Sequence, residues 1–218
     1  MNVTFQVPPF FQEIVPGLDA DRARTAAAVR AGSRAGSLSE DQLDGLAAEY
    51  ARASASLAAA NVFYAATCLV TIGGDLSSGT LLLAREPLAY RDPGTAVAGI
   101  GEVMARRHGT DGAVRQWDLP CGQAVLVFEQ SAALRIPGEL TASGEDFPVE
   151  VAQIQAYVPV PHEAVPGAQD MVVATFSTPS TDHWEEYCEV MAALLRSLAF
   201  APEEEPSSST PAGGAPVA

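Results

Sequence analysis

Between residues 60 and 62 the spacing of apolar side chains changes from that of a helix to that of a strand, and this switch constrains the fold more than any other feature of the chain. On the N-terminal side, Ser39 and Gln42 form a capping box, and Leu43, Leu46, Tyr50 and Leu57 recur at helical spacing through 39–60. On the C-terminal side, Val62–Ile72 is aromatic and β-branched, Gly73-Gly74-Asp75 and Ser77-Ser78-Gly79 supply turn chemistry, and Thr80–Ala84 pairs back as the second arm of a β-hairpin. A chain that makes this change carries both structure types around one core.

The remaining elements follow from the same signals. Val3–Val7 alternates as a short strand ended by Pro8-Pro9. Asp19 caps an alanine-rich helix running to about Ala31, and a Gly32–Gly36 turn folds it back onto 39–60 as a helical hairpin. Pro93 and Gly109 bracket a further helix. Strands are expected at Ala113–Leu119, Ala124–Ile136, Val149–Pro159 and Met171–Ser177, with turns at Gly138–Gly144 and Pro161–Gly167. Ser180 or Thr181 caps a last helix, through about Leu198, whose stripe includes Trp184, Tyr187, Cys188, Met191, Leu194 and Leu195. Most connections are too short for parallel crossovers, so the sheet should be mainly antiparallel. The expected fold class is α+β: an α/β/α sandwich plus an N-terminal helical hairpin at 19–60. Residues 1–200 make one domain, and 201–218, rich in Glu, Ser, Pro and Gly, make a disordered tail.

Composition narrows function. The net charge is −15, and all 12 basic residues are arginines, with only Arg106-Arg107 adjacent. Nucleic-acid binders cluster basic charge to neutralise phosphates, so no nucleic-acid partner is expected. The longest apolar stretch, Val62–Ile72, falls well short of the ~20 residues that span a bilayer, and Met1–Phe11 lacks the basic start of a signal peptide. A cytoplasmic location without membrane insertion is therefore expected. The 3 cysteines, Cys68, Cys121 and Cys188, are too few and too scattered for a disulfide framework.

Two passages resemble a known family. Pro8-Pro9-Phe10-Phe11 precedes Pro16-Gly17, and Met171–Pro179 leads into the Trp184/Tyr187 helix and Leu195-Arg196-Ser197-Leu198-Ala199-Phe200. The closing strand, helix and Ser-Leu-x-Phe signature is similar to the Mog1/PsbP-like domains, including LpqN-type lipoproteins and the DcrB-like and Eag-type chaperones. The resemblance covers mainly 61–200 and implies an antiparallel α/β/α sandwich that binds partners without catalysis. The chain departs from the lipoproteins in lacking a lipobox cysteine, and from the compact members in adding the 19–60 helices. No family site residue carries over.

Reactive constellations are sparse. Cys121, in a Leu-Pro-Cys-Gly turn, is the best nucleophile candidate, with His108, His162 or His183 as its base, against the simpler reading of a structural turn cysteine. Cys68 and Cys188 read as core. Ser77-Ser78-Gly79 reads as a turn and lacks the geometry of a nucleophile elbow. Asp182, His183 and Glu186 are the nearest approach to a metal set, but acids at a helix start also complement its dipole. Gly99 and Gly101 lie within a helix, where they read as packing positions.

No catalytic residue, metal or cofactor is expected. The leading expectation is a non-enzymatic interaction module, an adaptor or chaperone associated with bacterial secretion, with a protein partner and homo-oligomerisation left open. Leu43, Leu46, Tyr50 and Leu57 are its candidate partner-binding face, against the alternative that this stripe packs on the sheet. The alternatives are a small-ligand domain with a pocket between sheet and helices near Trp117 and Trp184, and a Cys121 enzyme.

Overall fold

The structure, a computed structural model, describes residues 1–32, 38–108, 113–136, 138 and 143–203. In chain order the elements are β1 (Asn2–Thr4), β2 (Phe11–Glu13), α1 (Ala20–Ala31), α2 (Glu40–Ala59), β3 (Val62–Ile72), β4 (Asp75–Pro87), α3 (Pro93–His108), β5 (Val114–Leu119), β6 (Gly122–Ile136), β7 (Phe147–Pro159), β8 (Asp170–Thr178), a 3-10 turn (Thr181–His183), α4 (Trp184–Ser197) and β9 (Ala199–Ala201). The fold is α+β. A seven-stranded sheet runs β2-β3-β4-β8-β7-β6-β5 with every neighbouring pair antiparallel, and β1 pairs with β9 in a separate two-stranded sheet.

Local chemistry sets the boundary at residue 61. α2 starts with both halves of the Ser39/Gln42 capping box formed and stops at Ala60. Asn61 then takes a left-handed φ of 52°, a conformation asparagine tolerates better than most residues. From there β3 runs to a tight turn at Gly73 and Gly74, whose φ values of 60° and 101° few other residues could adopt.

That turn corrects one expectation. Ser77, Ser78 and Gly79 are not turn residues; they lie within β4, paired with Val70, Leu69 and Cys68. The two glycines reverse the chain by themselves, so the second cluster is free to be strand. Gly79 is needed there because the Phe176 ring occupies the space beside it: an added Cβ would sit 2.6 Å from Phe176 Cε2 and closer still to Cζ.

The last helix also begins differently. Ser180 and Thr181 do not cap α4; Thr181–His183 forms a 3-10 turn, and α4 starts at Trp184. The Ser180 hydroxyl is drawn away because it accepts a hydrogen bond from the Ser78 amide at 3.1 Å. The Thr178 hydroxyl donates to the Ser78 carbonyl at 2.6 Å, so β4 and the start of α4 are laced together.

Two strands escape the sequence reading, β2 and β9, each of three residues. The first expected strand is shorter than read, ending at Thr4. Asp19 does cap α1, its carboxylate accepting from the Arg22 amide at 2.9 Å. Residues 33–36 of the Gly32–Gly36 turn, Gly109, part of the Gly138–Gly144 turn and the tail from 204 onward lie outside the described residues.

The main core lies between α4 and the sheet. Leu81 and Leu83 of β4, Ile154 of β7 and Phe176 of β8 pack with Tyr187, Met191, Leu194 and Leu195 of α4. Phe176 lies 4.7 Å from the Tyr187 ring and meets Phe11 edge-on. Each such side chain contributes ~1.5–3 kcal/mol through burial. α3 packs on β5, β6 and β7, where Gly101 lets the helix approach Gln116 and Val125. Gly99 has open space beside it, so only one of the two helix glycines serves close packing.

α1 and α2 lie against each other, with Ala23 and Ala27 of α1 fully buried and Arg24 paired with Asp44. Ser54, fully buried on α2, accepts from the Leu18 amide and donates to the Val15 carbonyl, both at 2.8 Å. This one hydroxyl fastens the segment before α1 to α2.

Candidate functional site

The sequence candidates are dispersed by the fold. Leu43, Tyr50 and Leu57 are half-buried beside the buried stripe of Ala47 and Ser54, whereas Leu46 is 39% exposed. Cys68 is buried near the Tyr187 hydroxyl, at 3.7 Å, and burial pushes its thiol up.

Cys121 and His162 line a common cleft of 570 Å³ together with Asp92 and Glu163. Their chemistry is directed elsewhere. The His162 ring stacks on Tyr90 and its Nε2 lies 3.0 Å from the Ala168 carbonyl. Asp92 accepts from the Thr95 hydroxyl and amide, which hold its carboxyl below the usual range. Burial pushes the Cys121 thiol up, which opposes the thiolate a nucleophile requires.

His108 Nδ1 lies 2.8 Å from Glu129, at the junction of α3 and β6, away from Cys121's turn. His183 Nδ1 is buried with no hydrogen-bond partner among the described residues. Among those residues no group of three or more His, Cys, Asp or Glu is placed to hold a metal ion.

An apolar cavity of 340 Å³ sits between α4 and the end of the sheet. Its floor is Trp117, Leu126, Phe128 and Ile154, from β5, β6 and β7. Its roof is Cys188, Met191, Ala192 and Leu195, spaced at one helical turn along α4. Arg115 and Gln116 complete the lining. The Arg196 guanidinium lies over the Trp117 ring, 5.1 Å from its centroid, a cation–π arrangement.

The strand period explains the floor. Arg115 and Trp117 are two apart on β5 and so share a side, as do Leu126 and Phe128 on β6, and Arg115 pairs with Leu126. The cavity lies at the margin of the sheet, where β5 is the terminal strand. Cys188 is thus not sealed core but wall, and burial together with the charge of Glu185 pushes its thiol up. Trp184 packs against the main core and is not part of the lining. The sequence points to Trp117 as a pocket residue, reads Cys188 as core and gives Arg115 no role. The signal for Arg115 was its i,i+2 relation to Trp117 on one strand.

The fold and this cavity define a class: an α+β domain built on a mainly antiparallel seven-stranded sheet, with an apolar recess beneath its last helix. No family model matches the chain, and neither a curated protein nor a solved structure does. No helix among the described residues is long and apolar enough to cross a membrane.

Proposed function

We propose that the chain is a non-enzymatic binding domain of the three-layer α/β/α kind, with its first two helices appended as a hairpin, and that it holds a small apolar ligand under α4. The observation that carries this reading is the Trp117-floored cavity of 340 Å³, within the range of small-ligand sites and walled almost wholly by apolar side chains. Titrating small apolar probes into a Trp184→Phe variant, in which Trp117 is the sole tryptophan, tests it. Emission should shift on binding, and the shift should disappear when Ala192→Phe fills the recess. If no probe alters emission or melting temperature, the reading fails.

A protein-partner function is the second reading, in keeping with the habit of the Mog1/PsbP-like domains the sequence resembles. Leu69 and Leu76, 66% and 70% exposed, lie diagonally across the β3–β4 pair, and Val29 of α1 is 76% exposed. Such residues are expected where a surface is covered by another protein. Affinity capture at near-native expression, compared between the native chain and a Leu69→Asp/Leu76→Asp variant, tests this surface. Equal recovery of any specific partner by both would remove it from the reading.

A further inference from the structure

We propose that the occupant of the cavity is an apolar monocarboxylate, an alkyl or aryl body with one anionic head, held by Arg115 with Arg196 at the rim. This rests on the small-ligand reading above and adds the charge and size of the ligand to it.

The charge follows from which arginines stand at the cavity without a carboxylate beside them. Arg22, Arg24, Arg52, Arg85, Arg106 and Arg135 each lie against a carboxylate. Arg115 and Arg196, like Arg30, Arg91 and Arg107, lie against no carboxylate among the described residues, and of these five they are the two that stand at the cavity. Among the described residues Arg115 is the only charged one in the cavity lining, on the same side of β5 as Trp117. Arg196, held over the Trp117 ring, brings a second positive group to the same strand. A guanidinium beside an apolar recess presents a planar fork that matches a carboxylate while the recess takes the body. A cation would meet Arg115 at the wall, and a neutral ligand would leave its donors to water.

The size follows from the volume. At about 30 Å³ for each non-hydrogen atom, 340 Å³ accommodates a ligand of about ten such atoms. Octanoate has that size, and 1-octanol and octylamine share its body with a neutral and a cationic head.

The experiment is calorimetric titration of the full chain with octanoate, 1-octanol and octylamine at neutral pH, with melting curves confirming that each variant is folded. Octanoate is expected to bind at least about tenfold more tightly than octanol, the worth of a hydrogen bond to a charged group, with octylamine weakest. Arg115→Gln should erase the preference for octanoate and leave octanol unchanged. Ala192→Phe should abolish all three. Equal binding of octanoate and octanol, both lost in Ala192→Phe, would overturn the anion assignment while leaving the cavity reading intact. Binding of none, or binding indifferent to Ala192→Phe, would overturn both.

Discussion

Gly79→Ala is the sharpest test of how the core is assembled. The residue lies in the middle of β4, opposite Cys68, and its backbone is not in the left-handed region, so alanine meets no conformational obstacle. The obstacle is the neighbour. An alanine Cβ would stand 2.6 Å from Phe176 Cε2, closer to Cζ, and 3.3 Å from Cys68 Sγ. Phe176 is fully buried and cannot swing aside freely, because Tyr187 lies 4.7 Å from its ring on one side and Phe11 meets its edge on another. Overpacking of this kind costs about 1–3 kcal/mol. Against it stands the loss of chain freedom in the unfolded state, which favours alanine by about 0.4–1 kcal/mol. The clash exceeds that gain, so the variant should be destabilised by about 1–2 kcal/mol net, or roughly 2–8 °C in melting temperature for a domain of this size.

Urea unfolding of the native chain, Gly79→Ala, Phe176→Leu and the double variant measures this directly. The smaller leucine side chain relieves the clash, so the cost of Gly79→Ala should shrink by at least about 1 kcal/mol in the Phe176→Leu background, as coupled neighbours require. If Gly79→Ala is neutral or stabilising in the native background, or costs as much in the Phe176→Leu background as in the native one, the packing argument is wrong.

Three further outcomes follow from single groups. Ser54→Ala leaves the Leu18 amide and Val15 carbonyl without their hydroxyl partner, so it should cost about 1–3 kcal/mol and speed hydrogen exchange at Leu18; exchange unchanged there would refute the anchoring role. Burial pushes the Tyr187 phenol up to about 12 from 10.0, so the folded chain keeps that proton where the unfolded chain releases it. Its contribution is whole below pH 10 and is lost as pH rises toward 12, by up to about 1.4 kcal/mol per pH unit, and Tyr187→Phe should flatten that part of the stability–pH curve. Cys121, its thiol raised by burial, should alkylate more slowly at pH 8 than free cysteine; a faster rate would restore it as a nucleophile.

What was legible in the sequence was whatever local chemistry decides. The Ser39/Gln42 box, the Asp19 cap and the Pro93 start mark helices because capping is settled within one turn of chain. The long strands announce themselves by alternation. The three-residue strands β2 and β9 do not, because they are strands only through their partners, Phe11 opposite Cys68 and Phe200 opposite Val3. Ser77-Ser78-Gly79 misleads for the same reason. Composition there favours a turn, and pairing with Val70, Leu69 and Cys68 of β3 makes it strand.

The cavity was beyond local reasoning for a further physical reason. Its walls come from β5, β6, β7 and α4, so no stretch of sequence contains it. Cys188 and Leu195 lie on the same helical stripe as Tyr187 and Leu194, and hydrophobic periodicity treats all four alike. Only the position of β5 at the end of the sheet separates them: the fully buried Tyr187 meets Phe176 of β8 near the middle, while Cys188 faces the margin where the strands run out. A helix that crosses a sheet close to its last strand buries one flank of its stripe and leaves the other facing a gap. That gap is where Arg115 and Arg196 meet an apolar wall, and it follows from strand order, which no periodicity in the chain encodes.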